Sequence, residues 1–171
     1  MRFAVTGTPG VGKTSTCSLI RSMPVVNVND LVEKLGLFSG YDRRRKTKEV
    51  DVSKLANVVA KMEGDVVLEG HFSHMLGPDV AIVLRCSPRV LEKRLRRKGW
   101  AEKKVRENVE AEAVDVVLVE ALENAPEVCE IDTTRMTGRQ VALAIEDIIA
   151  GERNKYRVGH VDWSQEVLSW F

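Results

Sequence analysis

The eight residues Gly7 to Thr14, GTPGVGKT, constrain this chain more than any other stretch. They fit the spacing G-x-x-x-x-G-K-[ST]. They also stand between a short apolar run, RFAVT at 2–6, and a stretch with helical character. A glycine-rich turn in that setting lets the backbone curl until several N–H groups point at one place, and the start of the helix adds positive partial charge there. The pattern predicts a phosphate-binding loop. Gly10, Val11, Gly12, Lys13, Thr14 and Ser15 are expected to hold the phosphates of a nucleoside triphosphate. Lys13 would reach the β- and γ-phosphates, and the Thr14 hydroxyl would meet Mg²⁺. The bland alternative is a chance glycine turn, which needs all the fixed positions to coincide in the right context.

Five apolar runs read as strands: 2–6, 25–28, 65–70, 80–85 and 127–131. Helical patterns alternate with them, which predicts an α/β fold with a parallel sheet. A helix is expected from Lys13 to about Met23, and another from an Asn29 cap to Gly36. Residues 40–51 read as a polar loop, and 52–62 as an amphipathic helix. Ser87 and Pro88 open a helix that runs to about Lys98. A long helical stretch fills roughly 101–124, and Thr137 opens a final helix to Ala150. Two segments, about 29–64 and 94–108, look like insertions on this core.

The 171 residues suit a single domain. A net charge of +1 gives no global case for nucleic acid. The three cysteines are scattered and form no CxxC pair, which supports neither a disulfide framework nor a zinc site. No apolar run approaches the roughly 18 residues of a membrane span. The expected setting is cytoplasmic.

A guanine-reading NKxD is missing: the nearest match, NKYR at 154–157, lacks the aspartate. Small size favours a kinase of small molecules or nucleotides. The run KRLRRKGWAEKKVR at 93–106 carries eight lysines and arginines in fourteen residues. It reads either as a solvated helix face or as a cationic lid that gathers the charge of a moving phosphoryl group. The stretch VVLEGHF at 66–72 ends a strand on Glu69, where a carboxylate would hold Mg²⁺ through water or orient an attacking water. His71, two residues on, could bind a phosphate or shuttle a proton. His74 has no evident third ligand for a metal shared with His71.

VTGTPGVGKT, VNVNDL, GYD, VVLEGHF and RLRRKGWAEKK, in this order, resemble the atypical adenylate kinase family (the adenylate kinase isoenzyme 6 or coilin-interacting nuclear ATPase type), here in an archaeal-type chain. The resemblance covers about residues 1–150. It implies a P-loop NTPase fold of the nucleoside monophosphate (NMP) kinase type: a five-stranded parallel sheet flanked by helices, with NMP-binding and lid insertions. It implies a broad-specificity kinase converting ATP and NMP into ADP and NDP, with Mg²⁺ and with ATPase activity. It further implies a role in small ribosomal subunit maturation, bound to a platform ribosomal protein. An alternative is an ATPase switch acting mainly as an assembly factor, and another is a kinase for a different small acceptor.

On that resemblance Lys13, Glu69 and His71 are the catalytic candidates, with Thr14 and Glu69 on the metal. Residues 29–52 become the NMP-binding segment, with Asn29, Asp30, Arg43 and Arg44 as candidates. Residues 97–107 become the lid, with Arg94, Arg97 and Lys98 gripping phosphate and Lys98 also on ATP. The chain departs from the family where Lys98-Gly99-Trp100 replaces Arg-Gly-Tyr, and where Glu33 replaces an arginine. Lysine keeps the charge but loses the planar fork. Trp100 could pack at the lid base or stack on a base. The aromatic tail, 151–171, either packs on the core or binds a partner.

Overall fold

The computed structural model describes residues 1–42 and 47–170. Its main sheet has five parallel strands in the order β2-β5-β1-β6-β7: β1 Arg2–Thr6, β2 Val25–Asn27, β5 Val66–Glu69, β6 Val80–Arg85 and β7 Glu127–Asp132. β5 and β6 are buried along their whole length. Continuous apolar strands of this kind are what a parallel sheet covered on both faces requires. The chain first builds leftward from β1 and then jumps over it to β6 and β7. The direction reverses beside β1, and in open α/β sheets such a crevice at the carboxyl ends of the strands is where ligands sit.

Helix α1 is much shorter than the sequence suggests. It covers Lys13–Cys17, and the chain then tightens, with the Leu19 amide on the Thr16 carbonyl (3.0 Å) and Ile20 on Cys17 (3.2 Å). Serine, threonine and cysteine give the KTSTCS segment little helix propensity. Helix α2, Val28–Leu35, is capped by Asn27 and not by Asn29: the Asn27 side chain accepts the Asp30 amide at 3.0 Å. Val28 is fully buried and belongs to the first helical turn, so the strand ends one residue early.

The expected polar loop at 40–51 is instead flanked by strands. β3 Phe38–Asp42 and β4 Thr47–Val50 pair antiparallel. Their ends carry Phe38 and Val50, which pack on the cluster formed by α2, β5 and α3, Val52–Ala60. The hairpin is anchored by its ends, and its charged middle hid it. Arg43 and Arg44 lie outside the described residues, as do Arg45 and Lys46.

Helix α4, Pro88–Arg97, starts at Ser87 and Pro88 as expected, although the Ser87 hydroxyl does not cap it. The long helix expected at 101–124 is two: α5 Glu102–Ala113 and α6 Val116–Asn124. They part at Asp115, whose φ of 59° is left-handed, a region aspartate tolerates better than most residues. α7, Gly138–Ile149, has a capping box between Thr137 and Gln140.

Between α7 and the short helix α8, Ser164–Leu168, the tail is tied to the core. Buried Glu130 accepts the Gly159 and His160 amides at 2.7 and 3.0 Å, and Tyr156 donates to Asp147 at 2.9 Å. Glu166 accepts the Ser87 hydroxyl at 2.7 Å and the Arg89 amide at 2.5 Å, so a tail carboxylate caps α4. Glu166→Ala is expected to cost about 1 kcal/mol, read from the denaturant midpoint. No helix among the described residues is long and apolar enough to cross a membrane.

Candidate active site

The phosphate loop sits where only glycine fits. A Cβ on Gly7 would lie 2.4 Å from the Leu84 carbonyl oxygen, and one on Gly10 would lie 2.8 Å from Leu95 and 2.9 Å from Leu91. Both positions also have φ in the left-handed half, 139° and 99°. β6 and α4 therefore press directly on the loop and fix its curl.

Lys13 is nearly buried, and its ammonium donates to the carbonyls of Gly7 (2.6 Å) and Thr8 (3.2 Å). Burial pushes its pKa down to about 8, against the opposing pull of Glu69. One helical step on, the Thr14 hydroxyl donates to Glu69 Oε1 at 3.1 Å. The other oxygen, Oε2, accepts a hydrogen bond from the Asn27 amide group. Glu69 is paired in register with Val5 of β1 and with Asn27 of β2. Three neighbouring strand ends thus deliver the loop, the carboxylate and an amide to one point. Asn27 escaped sequence reading. Its signal was a polar residue closing an apolar strand.

A hydroxyl beside a carboxylate is an oxygen donor set that suits Mg²⁺. Among the described residues no group of three or more His, Cys, Asp or Glu could hold a metal ion. Thr14 and Glu69 would therefore share the ion with nucleotide phosphates and water, as Mg²⁺ commonly does in phosphoryl-transfer sites.

His71 stands at the rim, with its edge open to solvent. Thr6 donates its hydroxyl to the His71 carbonyl at 3.0 Å, and the ring meets Phe72 edge-on with centroids 4.7 Å apart. The protein packed around the ring, then the Lys13 and His74 charges, push its pKa down to about 4. The imidazole is neutral near pH 7 and a weak base, able to accept a hydrogen bond. His74 is wholly buried, with Nδ1 2.8 Å from the Thr6 hydroxyl and Nε2 3.3 Å from Glu120. These partners make it a support for the strand end.

Two clefts meet the loop, and a third shares His71 and Phe72 with one of them. One of about 280 Å³ is lined by Gly10, Gly12, Ser15, Arg97, Lys98 and Met136, among others. A second, about 1010 Å³, lies on the other side of the loop, against Thr8, Pro9, Trp100, Lys103 and Lys104. A third, about 640 Å³, is walled by Asn29, Val32, Glu33, Phe38 and Val52. His71 and Phe72 line both the second and the third. Arg97 and Lys98 are exposed at the end of α4. Arg94 lines the first cleft beside them and also donates to the Val11 carbonyl at 3.3 Å and the Thr133 carbonyl at 3.0 Å. The expected lid comes down to a tight turn, Lys98 to Ala101, followed by the first half of α5. Trp100 is half-exposed on the second cleft. Asp30 lies on the first turn of α2, outside the residues lining the third.

Comparison with known proteins agrees with this geometry. Residues 4–115 match the family model described as "AAA domain". The chain is 46% identical to the protein named "Putative adenylate kinase" of Archaeoglobus fulgidus, over 98% of this chain and 94% of that one. It is 38% identical to the protein of the same name from Methanocaldococcus jannaschii, over 99% and 97%. The chain belongs to this archaeal adenylate kinase-type family. Among solved structures it is similar in fold to the shikimate kinase of Acinetobacter baumannii in complex with shikimate (TM-score 0.60, 13% identity, 89% of this chain and 94% of that one). It is equally similar to the YorR protein of Bacillus subtilis in complex with phosphorylated GDP (TM-score 0.60, 13% identity, 92% and 100%). This family member therefore has the P-loop, NMP-kinase-like α/β fold. At 13% identity these structural likenesses carry the fold alone.

Proposed function

We propose that this protein is a nucleoside monophosphate kinase that converts ATP and NMP into ADP and NDP, and that it also hydrolyses ATP slowly. The observation that carries the reading is a pair of clefts lined by different parts of one phosphate loop, Gly10, Gly12 and Ser15 in the first and Thr8 and Pro9 in the second, with a third cleft that shares His71 and Phe72 with the second. Phosphoryl transfer needs little covalent chemistry from the protein. It needs two substrates held in line and cations where charge spreads.

The donor fits the first cleft, with its phosphates on the amides of Gly10 to Ser15. Lys13 would turn from the Gly7 and Thr8 carbonyls to the β- and γ-phosphates, and Lys98 and Arg97 would add charge from the end of α4. Mg²⁺, held by Thr14 and Glu69, supplies neutralisation of the β- and γ-oxygens when bound. Asn27 would hold the Glu69 carboxylate in place beside Thr14, where the two would share the ion. The acceptor base fits the apolar wall of the third cleft near Asn29. Lys103 and Lys104 are placed to help with the acceptor phosphate. A ribosomal-protein partner rests on the family resemblance alone.

Mixing ATP with AMP and other monophosphates, and following ADP, tests the reading. ADP formed no faster than by hydrolysis of ATP overturns it. A parallel screen of non-nucleotide acceptors covers the other kinase possibility.

His71 separates the two activities. An acceptor phosphate near neutral pH already carries its attacking oxyanion, but water must lose a proton. A neutral imidazole that lines both the second and third clefts can accept a hydrogen bond from that water and orient it. His71→Ala is expected to lower ATP hydrolysis by roughly tenfold, with ATP affinity and transfer to AMP little changed. Equal loss of both activities would make His71 a phosphate contact instead.

A further inference from the structure

Glu112, on the last turn of α5, is 2% exposed and more than a hundred residues from the phosphate loop in sequence. Its carboxylate nevertheless accepts the Thr8 hydroxyl, through Oε2, at 2.6 Å. The other oxygen accepts Arg85 Nε at 2.8 Å, the Cys86 amide at 3.2 Å and the Trp163 indole N–H of the tail at 3.3 Å. One carboxylate therefore gathers four donors, from the loop after β1, the end of β6, the turn beyond it, and the tail.

The contact with Thr8 matters because Thr8 is used twice. Its hydroxyl is fixed by Glu112, while its carbonyl, with that of Gly7, receives the Lys13 ammonium. A buried charged acceptor makes a strong and geometrically demanding hydrogen bond. The loop's first half is thereby held from behind, while β6 and α4 press on Gly7 and Gly10 from the side. Sequence reading missed this because Glu112 sits in an ordinary-looking helical run, and nothing local marks its partner.

We infer that Glu112 is a positioning residue of the phosphate loop, holding Thr8 and, through Thr8, the backbone carbonyls on which Lys13 rests. The inference rests on reading this loop as the nucleotide-phosphate site. A residue that merely supported the fold would act through stability alone.

Three variants test this, with ATP and Mg²⁺ as the probe in direct binding. Thr8→Val keeps the shape of the side chain and removes the hydroxyl. It is expected to weaken ATP binding about tenfold, measured well below the melting temperature, which falls modestly because Glu112 Oε2 loses its donor; Thr8→Ser is expected to restore both. Glu112→Gln keeps the shape and exchanges the charged acceptor for a neutral one, and is expected to weaken ATP binding severalfold at pH 7. Unchanged affinity in Thr8→Val, a loss that Thr8→Ser does not repair, or unchanged affinity in a folded Glu112→Gln overturns the inference. If Glu112→Gln does not fold, the Thr8 pair decides. A wild-type protein that fails to bind ATP would instead overturn the reading of the loop itself.

Discussion

Replacing Lys13 with methionine is expected to lower phosphoryl transfer from ATP about a thousandfold, with the fold intact. The ammonium is the one cation placed inside the curl of the loop, 2.6 Å from the Gly7 carbonyl. Methionine has similar length but no charge to offer the β- and γ-phosphates. The same substitution removes a desolvated charge from a nearly buried position, and that relieves a cost of folding. The pH dependence follows from linkage. The pKa of Lys13 lies near 10.5 when unfolded and is pushed down to about 8 in the fold. Between those values the unfolded chain binds more protons, so wild-type stability rises as pH rises from about 8 toward 10.5. Below about 8 the cost of burying the charge is fully present. Lys13→Met should lack this rise and should be no less stable than the wild type at pH 7. Urea titrations of both proteins across this range, with ATP and AMP turnover, check the two halves together. A variant clearly less stable at pH 7 would mean that the hydrogen bonds to Gly7 and Thr8 outweigh desolvation.

Lys13 and its loop were legible in the sequence because phosphate recognition ties chemistry to short, fixed spacing. The strand before the loop, the β6 run VAIVLR and the Thr137 cap were legible for the same local reason. What could not be read depends on partners far along the chain. Asn27 is an ordinary strand-end polar residue until β2 lies beside β5, a neighbour separated from it by a helix, a hairpin and another helix. The α5–α6 break has no glycine or proline to announce it. Asp115 adopts its left-handed backbone where its carboxylate meets Arg85, thirty residues earlier. The hairpin was hidden by a charged middle whose flanking strands gain their stability from apolar ends. His71 was recognised as unusual from its place after Glu69, but its lowered pKa comes from three-dimensional surroundings, the protein packed on the inner side of the ring and then the Lys13 charge.

Arg85 is expected to be the position where a single change costs most stability. It is a buried cation at the end of β6, in contact with three carboxylates. Burial works against its charge, yet Glu112 and Asp115 more than compensate and raise its pKa. Its guanidinium also lies 5.9 Å from the Trp163 ring centroid, which joins the tail to the same cluster. Arg85→Ala would leave Glu112 and Glu130 buried without a cation, and breaking such a cluster from one side costs about 3–5 kcal/mol. Glu130 would keep the Gly159 and His160 amides, and Glu112 would keep Thr8, Cys86 and Trp163, which argues for a destabilised but folded protein. Two comparisons separate this electrostatic loss from a cavity. Acid should narrow the gap to wild type, because protonation neutralises the stranded carboxylates, whereas a cavity is indifferent to pH. Adding Glu112→Gln to Arg85→Ala should cost less than the sum of the single changes, because the two residues share one interaction. Denaturant midpoints for the four proteins at pH 7 and pH 5 measure both. Strict additivity with a pH-independent loss would mean that Arg85 stabilises by packing its stem, and that the ion cluster is close to neutral for folding.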